Sequence, residues 1–396
     1  MNVFVIPSWY PSTSNPIYGI FVKEQIKAVS RSSTHVQYGI SLWGQGEEPY
    51  LLYASQPFES LKKLLTSRRL QEDDRQGNIK HYRNPRFIWT RKLLNGNFKS
   101  IVQSNFQNFE RFLSDTKRVD LIHVHASYPG ALIAYKLHKE YQIPYVISLH
   151  MSPFPFPELL DGQAIQGALK ESLDHSHALI ASSPSLHDRA EALELENLVT
   201  IPPFADTSLF CPAPTKDKSS KYRILCVGRL EKQKGFDILL DALRLIKHEL
   251  STKVEIVGDG GERALLDNLI AQNDLEEIVE LHGLGTREQV KDKMQKCDLF
   301  ILPSRHETFG IVLAEAMACG KPVVATQCGG PESIVTTDTG VLCPMENPEA
   351  LAEAIKQALS KPWDAKKIRA HVEQNFSPSI FTQRMLALYQ DVINKD

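Results

Sequence analysis

The sequence predicts an α/β protein built from two doubly wound parallel domains. Three observations carry this. Short apolar runs that suit buried parallel strands alternate with amphipathic stretches of helical period through both halves of the chain. Strands run into glycine-bearing turns that open helices, as at Cys226-Val-Gly228 and Val257-Gly258-Asp259-Gly260-Gly261. Between the halves, residues 202–220 are rich in proline and polar residues and lack periodicity, the composition of a linker. The 396 residues, 42% of them hydrophobic, suffice for two full cores.

In the first half, strands are expected at 2–6, 35–42, 120–125, 144–149 and 178–182, with helices at 21–30, 97–113 and 131–141. In the second half, strands are expected at 223–227, 253–257, 278–282, 299–302, 323–325 and 340–343. Helices there are expected at 236–249, 262–272, 287–297, 348–359 and 378–393. The domain division that follows is 1–204 and 205–376, with 377–396 crossing back to the first domain.

Composition excludes several classes of function. The net charge of −2 gives no sign of nucleic-acid binding, and no apolar run approaches the ~18–20 residues that a membrane helix needs. The N-terminus lacks the basic region of a signal peptide and reads as a first strand. Six cysteines lie in the second half with no Cys-x-x-Cys spacing, which points to core thiols in a reducing cytoplasm. Charge is uneven, however. Residues 57–118 hold 14 Lys/Arg against 6 Asp/Glu, with Phe87, Trp89, Leu93 and Leu94 among the cations. Two readings fit this stretch: a helix pair lying on an anionic membrane surface, or a solvated helical face packed on its own domain.

The most informative segment is Ser304-Arg-His-Glu307-Thr-Phe-Gly-Ile-Val-Leu-Ala-Glu315-Ala-Met-Ala-Cys-Gly320. It follows an apolar strand-like run, then changes to helical period. Thr308 is expected to cap the helix, and Gly320 with Pro322 to stop it. A strand–helix junction offers free backbone N–H groups and a positive helix end, which favour phosphate. Glu307 is expected in the mouth of that site. Glu315 is expected two helical turns further along, roughly 10 Å away at ~1.5 Å per residue. Two carboxylates beside an anion site suit the hydroxyls that flank a phosphate. His306-Glu307 is not a zinc helix, because position 310 is Gly rather than a second His.

Further candidate residues follow other strands. In Gly228-Arg229-Leu-Glu-Lys232-Gln-Lys234-Gly235, Arg229 and Lys234 can converge on a diphosphate. Gly258 and the turn His282-Gly283-Leu284-Gly285 end two further strands. In the first half, Ser8-Trp-Tyr-Pro11 precedes Gly19, which is expected to begin a helix. His150 and His125 each end a strand, where ligands gather in open α/β sheets. No metal set is complete at His123-x-His125.

Glu-x7-Glu followed by Ala-x-Ala-x-Gly-x-Pro-Val-Val, together with Gly228-Arg229-Leu and Lys234-Gly235, resembles retaining glycosyltransferases of family 4. Ser-Trp-Tyr-Pro with the later Gly-x-Phe-x-x-Glu-Gln resembles members that build bacterial surface polysaccharides, although a single Gly19 replaces the Gly-Gly of many relatives. The resemblance implies a GT-B fold, two Rossmann-like domains facing a cleft, and a nucleotide-diphosphate sugar as substrate, with no cofactor and no metal. UDP-sugar is the favoured donor and GDP-mannose the second. The acceptor is expected to be a glycan or a lipid-linked intermediate, and the location cytoplasmic or peripheral on the membrane's inner face. By the same resemblance His150, Glu307, Arg229 and Lys234 are catalytic. Gly19, Gly228, Gly258, Leu284, Thr308, Phe309, Gly310, Ile311 and Glu315 bind donor, Glu307 through sugar hydroxyls and Glu315 through ribose. His125 borders the acceptor. A nucleotide-sugar epimerase or a non-catalytic partner subunit on the same architecture are the alternatives.

Overall fold

A computed structural model describes residues 1–67, 73–89, 94–213 and 221–395. It divides into two compact units. The first comprises Met1–Ala181, His187–Ile201 and Thr382–Asp396; the second comprises Ser182–Leu186 and Pro202–Phe381. In chain order the strands of the first unit are β1 (Asn2–Pro7), β2 (Gln37–Leu42), β3 (Asp74–Gln76), β4 (Ile79–Arg83), β5 (Leu121–His125), β6 (Tyr145–Leu149), β7 (Leu160–Asp161), β8 (Ala164–Ile165), β9 (Ala178–Ala181) and β10 (Leu198–Thr200). The helices are α1 (Ile20–Ser32), α2 (Pro57–Thr66), α3 (Phe98–Thr116), α4 (Gly130–Tyr141), α5 (Gly167–Asp174) and α6 (Pro184–Glu191). Eight strands form one sheet in the order β10-β9-β6-β5-β1-β2-β4-β3, parallel except for the β3–β4 hairpin. Strands β1, β5 and β6 are buried along almost their whole length, as a sheet covered on both faces requires.

The second unit carries β11 (Tyr222–Val227), β12 (Thr252–Val257), β13 (Val279–His282), β14 (Leu299–Leu302), β15 (Val323–Thr326) and β16 (Gly340–Cys343). Its helices are α7 (Phe236–Ile246), α8 (Arg263–Gln272), α9 (Arg287–Lys296), α10 (Ile311–Ala318), α11 (Pro348–Ser360) and α12 (Ala365–Asn375); α13 (Pro378–Lys395) holds residues of both units. The sheet is wholly parallel in the order β13-β12-β11-β14-β15-β16. Strand period partitions its core. Ile224, Cys226, Leu299, Ile301 and Val324 pack on one face with Leu239, Leu243 and Ile355. Leu225, Phe300, Leu302, Val323 and Ala325 pack on the other with Leu313, Met317 and Val372.

Two expectations need correction. The described residues of 57–118 are not a helix pair: they form α2, the β3–β4 hairpin and α3. Several of their cations are matched by acids, in the pairs Lys63–Glu48, Lys80–Asp115, Arg83–Asp74 and Arg111–Asp73. Phe87 is buried against Tyr50 rather than presented among the cations. Arg68, Arg69, Arg91, Lys92 and Leu93 lie outside the described residues. What the stretch does expose is α2, whose Phe58, Leu61 and Leu65 are 87%, 56% and 79% exposed. The second correction concerns strand number. The short β3, β4 and β10 and the β7–β8 pair were not expected, because charged or very short runs such as Asp74-Arg-Gln76 carry no apolar alternation.

Candidate active site

In the second unit, sheet order reverses between β11 and β14, and loops at the carboxyl ends of such neighbours part to leave a crevice. The loop after β11 carries Gly228, Arg229 and Lys234; the loop after β14 carries Ser304 to Gly310. Glycine lets these loops press together. A Cβ on Gly258 would lie 1.8 Å from the Gly228 carbonyl oxygen, and one on Gly235 would lie 2.0 Å from that of Pro303. Lys234 and Glu307 meet there: Nζ is 2.5 Å from Oε1, with side chains 16% and 10% exposed. Ser304 Oγ donates to the same carboxylate oxygen at 2.9 Å. An ammonium and a carboxylate thus meet where the order of the sheet reverses.

Arg305, which the sequence reading passed over, ties the two loops. Its guanidinium grips Asp237 at 2.7 and 2.8 Å, donates to the Lys232 carbonyl at 2.7 Å and pairs with Glu346. Its backbone N–H donates to the Gln233 carbonyl at 2.7 Å, and Gln233 Nε2 returns a bond to the His306 carbonyl. The side chain of Arg305 is only 14% exposed. Nothing in the sequence separates such a buried clamp from a surface arginine.

Several expected residues stand differently. Arg229 has its guanidinium paired with Glu231 at 2.6 Å, and its side chain is 64% exposed. Thr308 does not cap α10. That helix starts at Ile311, and its N-cap is Gly310 at φ 97°. The reason is a β-bridge between Glu307 and Gly329, in which Gly330 N–H donates to the Glu307 carbonyl at 3.0 Å and keeps this stretch out of the helix. The estimate of 1.5 Å per residue between Glu307 and Glu315 therefore does not apply. The Phe309 side chain is core, 3% exposed and edge-on to Phe376, and does not line a crevice. Gly330, also passed over, is needed because a Cβ there would lie 2.4 Å from the Phe309 carbonyl oxygen. Leu284 is 66% exposed, so its side chain is not packed in the core.

Glu315 lies on α10 with its side chain 15% exposed and the Arg287 guanidinium 4.0 Å away. Burial pushes its carboxyl up to about 7; Arg287 opposes that shift and Asp206 adds to it. Of the other acidic groups, Glu255, Glu280 and His282 cluster closely enough to hold a cation. Lys293 already occupies that cluster, its Nζ 2.5 Å from Glu255 and 3.2 Å from His282.

In the first unit, Gly19 caps α1 at φ 68°, where a Cβ would lie 2.4 Å from the Trp9 backbone. His125 and His150 end β5 and β6. His125 does not border an open acceptor surface: it is 1% exposed, and its Nδ1 lies 3.0 Å from His150 Nε2. His123 is held by Tyr389 Oη at 2.7 Å and Ser148 Oγ at 2.9 Å. Burial pushes His123 and His150 down to about 3, and His125 well below its ordinary value, so all three are neutral near pH 7.

Two family models match this chain, "Glycosyltransferase Family 4" over residues 64–209 and "Glycosyl transferases group 1" over 212–375. The chain belongs to the glycosyltransferases. One relative is TuaC of Bacillus subtilis, a glycosyltransferase ascribed to teichuronic acid biosynthesis. It is 26% identical over 99% of both chains. Among solved structures, sucrose-phosphate synthase of Thermosynechococcus elongatus superposes with a TM-score of 0.75 at 19% identity, over the full length of both chains. Anabaena HepE in complex with UDP-glucose superposes at 0.69 and 18%, over 99% of this chain and 100% of that one. These matches identify the two Rossmann-like domains of the GT-B fold, with the sheet order of the second unit as its most regular part.

Proposed function

We propose that this glycosyltransferase moves a sugar, with retention of anomeric configuration, from a UDP-sugar to a lipid-linked glycan intermediate in surface-polysaccharide synthesis. The observation that carries the reading is the Lys234–Glu307 pair at the reversal of sheet order in the second unit. The Lys234 ammonium is placed to neutralise diphosphate charge that grows as the leaving group departs. Glu307 accepts from donor-sugar hydroxyls and so orients the ring. Glu315 takes the ribose hydroxyls, and the first-turn N–H groups of α10 add positive potential toward phosphate. Arg229 is the second phosphate cation and must leave Glu231 to serve. In this reading the two cations and the helix end replace a metal, and no cofactor takes part.

The fold neighbour that holds UDP-glucose supports UDP as the base-bearing part, and the polysaccharide relative supports the pathway class. Exposed α2 supports a membrane-borne acceptor: apolar side chains 56–87% exposed on a short helix that also carries Lys62 suit the boundary of an anionic bilayer. Among the described residues no helix is long and apolar enough to cross a membrane.

The test is a melting-temperature panel of UDP, GDP, UDP-sugars and GDP-mannose in excess chelator, followed by NMR of the anomeric proton in the transferred product. Stabilisation by UDP and UDP-sugars, with an unchanged anomeric configuration, is the expected result. A shift that needs magnesium or manganese, or an inverted product, overturns the metal-free retaining reading.

A further inference from the structure

The buried His125 has one ring nitrogen in contact with His150 and the other without any hydrogen-bond partner. Their ring planes lie within 7° of each other, with centroids 5.2 Å apart. The contacting nitrogens at 3.0 Å are closer than two stacked rings can sit. The contact is therefore in-plane, lone pair to N–H. Each neutral imidazole carries one hydrogen, so only two arrangements place a single hydrogen between the rings. In one, His150 Nε2–H donates and His125 is left with an orphaned, buried Nε2–H. In the other, His125 Nδ1–H donates and the orphan is a bare lone pair. The second arrangement leaves no buried N–H without an acceptor, and orphaned buried N–H groups are rare.

We propose that His125 is a positioning residue whose Nδ1–H donates to His150 Nε2 and so holds His150 in the Nδ1–H tautomer, which presents a hydrogen-bond donor rather than a base. Its effect on turnover rests on the transfer reaction proposed above; the tautomer does not. The surroundings fix the rings. Phe21 meets His150 edge-on at 4.9 Å, and His123, 4.1 Å from His125 between centroids, is anchored by Tyr389 and Ser148. His150 is partly exposed, so Nδ1–H is the polar group it has left to offer.

The test uses full-length protein with 15N-labelled histidine. Long-range 15N–1H spectra at pH 7.5, with His150 assigned by comparison with His150→Gln, read the tautomer in the absence of substrate. The Nδ1–H form is expected. His125→Asn and His125→Leu share the same branched side-chain shape, but only Asn keeps an N–H near the Nδ1 position. Asn should retain the Nδ1–H form of His150 and keep kcat within about threefold, whereas Leu should lower kcat by about tenfold, the scale of one hydrogen bond, with melting temperature and UDP affinity matched between the two. Wild-type His150 in the Nε2–H form overturns the proposal whatever the reaction is. Equal kcat for Asn and Leu overturns the positioning role. Because the spectra need no donor or acceptor, a wrong reaction assignment shows itself separately, as absent transfer in a protein with the expected tautomer.

Discussion

At the scale of single residues, the contact between Lys234 and Glu307 changes what removal of either should do. The carboxylate occupies the ammonium that a diphosphate needs. Glu307→Ala is therefore expected to leave UDP affinity unchanged or raised, while transfer falls by about 100-fold, roughly 2.7 kcal/mol of transition-state stabilisation. Calorimetric titration with UDP beside a transfer assay decides; weaker UDP binding would show that Glu307 holds the nucleotide itself. Glu315 supplies a pH test. Ribose hydroxyls donate to the carboxylate, so UDP affinity should climb as pH rises from 6 to 8 through its value of about 7. In Glu315→Gln the affinity should be low and flat. Stability runs the other way. The folded chain retains a proton that the unfolded chain releases, so this contribution is complete below the ordinary carboxylate range and is lost as pH climbs through about 7. Glu315→Gln should melt with wild type at pH 4 and above it at pH 8.

At the scale of elements, the first-unit helix α2 stands apart because none of its residues is buried. Lys63 is spent on Glu48 and the Leu51 carbonyl, which fastens the helix while its apolar side chains stay in solvent. Leu61→Ser with Leu65→Ser is expected to abolish sedimentation with anionic vesicles and to change folding stability by less than about 0.5 kcal/mol, as substitutions at exposed sites do. Retained vesicle binding would move the membrane contact elsewhere; a large stability loss would mean that the face is covered in the folded protein. In the second unit, Arg305 does for two loops what α2 does for none. It anchors the turn at 232–234 to the loop after β14. Arg305→Met should weaken UDP binding by about tenfold through loss of charge-assisted bonds to Asp237 and Lys232.

At the scale of the whole molecule, each unit has its own sheet and its own covered core, so ligand binding to the second should first appear in that unit's unfolding. UDP at 100 times its dissociation constant is expected to stabilise it by roughly 2.7 kcal/mol in chelator. Hydrogen exchange read separately on β11–β16 and on β1–β10 localises the effect; equal protection of both sheets would argue against a site confined to the second unit.

The fold was legible because central strands of both sheets, β1, β6 and β14 among them, are continuous apolar runs. Short, apolar runs such as Leu299–Leu302 and Tyr145–Leu149 suit a buried parallel strand. The carboxylates, lysine and glycines of the second unit were legible for a similar reason, since their spacing around strand ends is local in the chain. What the sequence did not decide is which groups face one another. The start of α10 at Ile311 rather than Thr308 depends on a bridge to Gly329, more than twenty residues away in sequence. The clamp made by Arg305 and the burial of His125 against His150 likewise arise from approach between separate strands and loops. Local propensity determined the elements and the residue types at their ends; partner choice, burial and hence protonation were decided only when tertiary packing brought those ends together.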